Sequence, residues 1–172
     1  MKKFTVKTLV TVALLISISI VLARLLVIYI TPSVRINFGN IPIMLAGLLY
    51  GPIIGGAAGA IADILGTLFL SGMGWYPPLT VSAAIMGIVP GLLAFLVKKN
   101  PSIPKMAVIV FTSNLFGTML WTTYWLTKLN NVSFGTLAAV RIPLYLCMTV
   151  VETLALYTIY KAVSGTLRKS GD

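Results

Sequence analysis

The chain has 172 residues, of which 58% are hydrophobic and only 9% charged, with a mean hydropathy of +1.01. That composition excludes a disordered chain and an ordinary soluble domain and places the protein in a membrane. The formal charge of +10 comes from 13 Lys and Arg against 3 Asp and Glu. Lys2, Lys3, Lys7, Lys98, Lys99, Lys105, Lys161, Arg168 and Lys169 gather at the two ends and in one loop. That is a topology signal rather than a nucleic-acid surface, so no nucleic-acid partner is expected.

A hydrocarbon core of about 30 Å needs about 20 helical residues. Val6–Ile30 meets this and stops at Thr31-Pro32. It follows a basic segment but has no small-x-small cleavage site, so it is read as a retained first span. Between it and the next apolar run lies Arg35-Ile36-Asn37-Phe38-Gly39-Asn40-Ile41-Pro42, polar, aromatic and glycine-bearing. Ile41–Leu70 is too long for one span, about 45 Å at 1.5 Å per residue, and Tyr50-Gly51-Pro52 interrupts it with a turn signal. Two helices here put the Lys98-Lys99-Lys105 loop and both termini on one, cytoplasmic side. Pro77–Val97, Pro104–Lys128 and Leu137–Val163 complete the set. The expected fold is an all-α, single-domain membrane protein over residues 1–172, with six transmembrane helices, a short second helix, and N- and C-termini cytoplasmic. Thr31–Asn40, Ser71–Pro77 and Leu129–Thr136 then face outside.

Four basic residues break the positive-inside trend: Arg24, Arg35, Lys128 and Arg141. Arg24 is expected about 9 Å below the outer end of the first helix, and Arg141 in the first turn of the last. Snorkelling to lipid phosphates accounts for Lys128. Arg24, Arg35 and Arg141 together suit an anion site for paired carboxylates or a phosphate. Asp63 follows Gly51, Gly55 and Gly59 at four-residue spacing, a stripe that admits a close helix neighbour. Asp63 is either an acid tied to Ser, Thr, Asn or Arg24 nearby, or an acceptor for paired N–H donors of a ligand. Glu152 shares a face with Arg141 and reads as a packing or relay residue. Trp75-Tyr76, beside Ser71-Gly72-Met73-Gly74, is either part of an aromatic belt or a lid that stacks on a flat ligand. Ala13-x-x-x-Ser17 and Ser19-x-x-x-Ala23 suit close helix contacts. Cys147, the lone cysteine, forbids an internal disulfide and is expected to pack against neighbours. There is no phosphate-binding loop, no histidine and no nucleophile–base pair. ATP hydrolysis, metal catalysis and triad chemistry by this chain are therefore excluded, and no cofactor or metal is expected.

The Arg35–Pro42 loop, Met44-Leu45-Ala46-Gly47-Leu48-Leu49-Tyr50-Gly51-Pro52, the run Gly55–Asp63, Arg141-Ile142-Pro143 and Glu152 resemble the substrate-binding S component of an energy-coupling-factor vitamin transporter. The similarity covers essentially the whole chain and is greatest to the folate-specific members. It implies high-affinity capture of a folate-like vitamin from outside. It also implies docking on a membrane coupling subunit driven by two cytoplasmic ATPases, and release inside after the S component tips over. The family's alanine-x-x-x-alanine partner contact stands here as Ala13-x-x-x-Ser17. On this reading Arg24, Arg35 and Arg141 neutralise the glutamate carboxylates, Asp63 accepts the pterin donors, and Trp75, Tyr76 and Phe38 sandwich the rings. Asn37, Asn40 and Asn114 complete the candidate substrate-binding set. Pantothenate and riboflavin remain alternative vitamins. A stand-alone proton-coupled carrier using Asp63 and Glu152, or a membrane enzyme acting on an anionic lipid, remains an alternative from another class.

Overall fold

The computed structural model describes residues 6–31, 34–70, 74–97 and 101–169, with side chains described at 6–27, 36–70, 74–97 and 101–164. Among them run α1 (Val6–Arg24), a β-hairpin of β1 (Ile28–Thr31) and β2 (Val34–Ile36), α2 (Asn40–Tyr50), α3 (Pro52–Leu70), α4 (Pro77–Leu93, extended by a 3-10 turn Ala94–Leu96), α5 (Ile103–Asn130) and α6 (Phe134–Lys169). Five of these helices are long and apolar enough to cross a membrane, and α2 is the short sixth. The bundle is all-α as expected, and the protein is a multi-pass membrane protein.

The first helix is shorter than the expected Val6–Ile30. It ends at Arg24, and its predicted last turn is instead the strand β1, paired antiparallel with β2 so that Tyr29 lies opposite Arg35. Val27, Ile28, Ile30 and Thr31 are β-branched and disfavour a helix, and Pro32 cannot continue one. The hairpin satisfies backbone groups that a frayed helix end would leave unpaired. The last helix starts at Phe134, earlier than the expected Leu137. Arg141 is therefore two turns inside it, not in its first turn.

Gly51 separates α2 from α3 with a φ of 99°, a left-handed turn that glycine adopts without strain. Its role is this turn and not the helix stripe. The stripe proper consists of Gly55 and Gly59, which face Gly87 and Ala83 of α4 so closely that a Cβ on either would overlap α4 backbone. α4 also meets α2 at Gly47, whose own Cβ would strike the Gly87 carbonyl. Three helices thus converge on glycine, and the core fills in around them with Met44, Met86, Met106, Ile109, Val110 and Leu156. Apolar side chains such as Leu14, Phe69, Phe95 and Leu154 point outward, as lipid-facing positions do, because a hydrocarbon solvent gives them no reason to hide. Cys147 belongs with them. It is exposed, on the opposite side of α6 from the buried Arg141, Thr149 and Glu152, so the expectation that it packs against neighbours is corrected.

Candidate functional site

Arg24 is the last residue of α1, where the negative end of the helix dipole favours a cation. Its Nη2 donates to Asp63 Oδ1 at 3.3 Å and to Thr67 Oγ1 at 2.7 Å, both on α3. The expected position 9 Å inside the first helix is corrected, since the helix stops at Arg24 itself. Thr80 Oγ1 donates to the other carboxylate oxygen, Asp63 Oδ2, at 2.8 Å, and Trp75 Nε1 donates to Thr80 Oγ1 at 2.9 Å. Each oxygen of Asp63 is thus engaged by the protein, as its internal reading expects, while the residue also lines the cavity described below. The pair is 11% and 16% exposed, so its charges offset each other in a largely desolvated setting. Asp63→Ala is expected to cost about 1–3 kcal/mol of stability, because Arg24 and Thr80 lose an acceptor. An unchanged thermal midpoint in detergent would show that the pair contributes nothing.

Arg141 is 4% exposed. Its Nη2 donates to the Tyr145 hydroxyl at 2.7 Å, one turn on along α6, with the guanidinium 5.2 Å from that ring's centre. Among the described residues, its buried Nε and Nη1 have no hydrogen-bond partner. A planar cation with donors held out of water and unsatisfied is prepared for a planar anion.

Deeper along α6, Glu152 accepts from Asn114 Nδ2 at 2.7 Å and shares the cavity wall with Asn40. Asn114 lies on α5 at the start of a π-helical stretch, Asn114–Thr122, the kind of irregularity that often re-aims side chains at a functional site. The wider turn brings Asn114 onto α6, while the Gly117 carbonyl takes hydrogen bonds from Ser82 at 2.8 Å and Thr122 at 2.9 Å.

These groups enclose a cavity of about 610 Å³ at the end of the bundle where α1, α3 and α5 finish and α4 and α6 begin, a size typical of small-molecule sites. Of the sequence-derived candidates, Arg24, Asn37, Asn40, Asp63, Trp75, Tyr76 and Arg141 line it. Phe38 does not; it packs on the apolar core. Asn114 does not line it either and acts on Glu152 from behind. The Arg35 side chain and Ser71–Met73 of the suggested lid lie outside the described residues. Tyr76 instead meets Trp125 edge-on, at 6.4 Å between ring centres. Lys128 Nζ sits 4.9 Å from the Tyr124 ring centre and 5.3 Å from that of Trp125. Asn37 Oδ1 accepts from the Gly39 amide at 3.1 Å and shapes the start of α2.

The sequence reading missed Ser82, Thr118, Thr122 and Tyr145, all on the cavity wall. Thr118 and Thr122, four residues apart in an apolar span, carried a signal that was available, while Ser82 and Tyr145 carried none beyond polarity. Glu152, read as packing or relay, also lines the cavity. Among the described residues, no cluster of three metal-ligating side chains occurs. On α1, Ser19 donates to the Gly39 carbonyl at 2.7 Å and Ala23 abuts Gly39, so that small-residue pair is an internal contact. Ala13 and Ser17 are exposed, with Ser17 Oγ bonded to the Ala13 carbonyl at 3.0 Å. Ser19→Ala is expected to cost about 1 kcal/mol, read as a lower midpoint in thermal unfolding.

Residues 3–165 match the family model described as ECF-type riboflavin transporter, S component. The chain is 29% identical over 163 residues to the folate transporter FolT of Clostridium novyi (strain NT), a match covering 95% of this chain and 92% of that protein. A crystal structure of FolT bound with folic acid superposes with a TM-score of 0.81 at 22% identity, covering 92% of this chain and 95% of the other. The fold is therefore shared with that folic-acid-bound protein.

Proposed function

The chain belongs to the family of S components of ECF-type riboflavin transporters, and from that premise we propose that it captures folate from outside the cell and delivers it inward. Membership makes it a transport subunit and not an enzyme. The observation that carries the choice of folate is Arg141, a nearly buried guanidinium whose Nε and Nη1 face no acceptor among the described residues. Riboflavin has no anionic group to answer it, whereas folate ends in two carboxylates. The resemblance to a folate transporter supports the same choice. In this reading the carboxylates meet Arg141, with Arg24 near the mouth. The rings lie between Trp75, Tyr76 and the Met86 side, where aromatic and sulfur contacts favour flat ligands.

The arrangement supplies recognition without a source of energy. Transport is assigned to a membrane coupling subunit and two cytoplasmic ATPases, with the exposed Ala13–Ser17 face of α1 as the docking surface. Both termini are assigned to the cytoplasm from the lysines near them, and the cavity mouth then faces outside.

Purification in mild detergent followed by absorbance and mass analysis of any bound small molecule tests the substrate. A pterin chromophore is the expected result, and a flavin would refute folate. Folate uptake should require co-expressed coupling subunits. Uptake by the chain alone would favour a proton-coupled carrier using Asp63 and Glu152.

A further inference from the structure

On the reading of the cavity as a folate site, we propose that Glu152 is its specificity-determining residue, the carboxylate that accepts the paired N–H donors of the 2-amino-4-oxopyrimidine edge of a pterin. Glu152 is 2% exposed and lines the cavity. It lies eleven residues past Arg141 on the same face of α6, about 16 Å deeper at 1.5 Å per residue. One helix therefore offers a carboxylate and a guanidinium at a spacing that suits an extended ligand, with a donor edge at one end and an anion at the other.

The two acids of the cavity differ in what compensates them. Asp63 is paired with Arg24. Glu152 has a neutral amide donor, Asn114, and among the described residues no cation lies within ion-pair distance of it. A carboxylate has about four acceptor positions, so the Asn114 amide leaves room for two more donors. The orientation of Asn114 follows from its neighbour. Thr149 Oγ1 donates to the Tyr145 carbonyl at 2.8 Å, and so accepts from Asn114 Nδ2 at 3.1 Å. The amide nitrogen thus faces Thr149 and Glu152, and Asn114 Oδ1 is buried with no donor among the described residues. Asn114 thus holds Glu152 from behind, and on the cavity side a ligand with adjacent N–H groups completes the carboxylate.

The same feature rejects flavins. The imide of an isoalloxazine presents one N–H between two carbonyls, so a facing carboxylate gains one hydrogen bond and opposes a lone pair. Specificity here includes a repulsive element as well as an attractive one. A chain of a family described by riboflavin can in this way select a pterin through one buried acid.

Calorimetric titration of the purified full-length protein tests the assignment with folic acid, 2-desaminofolic acid, p-aminobenzoylglutamate and riboflavin. The wild type is expected to prefer folic acid over its 2-desamino analogue by roughly tenfold to a hundredfold, the worth of a charge-assisted hydrogen bond. In Glu152→Gln that preference should fall below about threefold, with p-aminobenzoylglutamate binding retained as evidence of an intact fold. Glu152→Asp, which withdraws the carboxylate by one methylene, should also lower the preference and serves if the glutamine variant does not fold. An unchanged preference in the folded variant overturns the role of Glu152, even if both affinities drop together, since that is what a purely structural residue would do. A wild type that binds riboflavin and ignores folic acid instead refutes the folate reading itself.

Discussion

Arg141→Met is expected to abolish high-affinity folate capture while making the empty protein more stable. The wild-type guanidinium is nearly enclosed, bonded through Nη2 to Tyr145, with Nε and Nη1 unsatisfied. Each unsatisfied buried donor costs about 1–3 kcal/mol, and methionine fills similar space with no such demand. Removing one partner of a buried charged pair costs about 2–5 kcal/mol of binding, roughly 30-fold to several-thousand-fold in Kd. Arg141→Lys should recover only part of this, because an ammonium replaces a planar fork with a point charge. Isolated pterin, which lacks the glutamate carboxylates, should bind both variants nearly as well as it binds the wild type. The measurements are calorimetric titration and thermal unfolding with and without folate. Folate affinity within threefold of wild type in Arg141→Met would remove the anion site from this position.

The second large effect concerns folding. Gly87→Val is expected to prevent assembly of the bundle. A Cβ at Gly87 would overlap the carbonyl oxygen and carbon of Gly55, and a Cβ at Gly55 would reach the Gly87 carbonyl in return. Both obstacles are helix backbone, which cannot swing aside as a long side chain can, so α3 and α4 must separate. Overpacking in a core that can adjust costs about 1–3 kcal/mol, and here adjustment would undo the α2–α3–α4 contact around which the core is built. Gly74→Ala is the control, since a Cβ there meets open space. Size-exclusion profiles and yield from detergent-solubilised membranes should show aggregated or absent protein for the first and wild-type behaviour for the second. A monodisperse, wild-type-like Gly87→Val would mean that the helix contact is looser than its geometry indicates.

These two expectations differ in how far each was readable beforehand. The glycines at four-residue spacing announced a close helix contact, because only small residues let backbones approach; which helix would fill it was not stated by the spacing. Arg141 stood out because a cation in an apolar span is costly. Its two unanswered nitrogens depend on how α6 is rotated against α5. The Arg35–Pro42 loop was visible as polarity between apolar runs. Its parts then separate: Asn37 and Asn40 reach the cavity, whereas Phe38 packs on the core. Glu152 reads from sequence as a packing or relay residue because one charge eleven residues from another gives no sign of what lies opposite.

By itself the sequence determined the solvent and the number of helices. Burying backbone in hydrocarbon requires long apolar helices, and their length and flanking charges are local properties. It also determined which residues were too polar to be there without reason. Tertiary structure decided which of those residues meet. Arg24 finds Asp63 across 39 positions, Thr80 finds it across 17, and Asn114 finds Glu152 across 38. In a membrane these pairings are not selected by hydropathy, since lipid and protein interior are equally apolar. They are selected by helix rotation and closeness of approach, set here by the glycines of α2, α3 and α4, by the left-handed turn at Gly51 and by the π-helical stretch of α5.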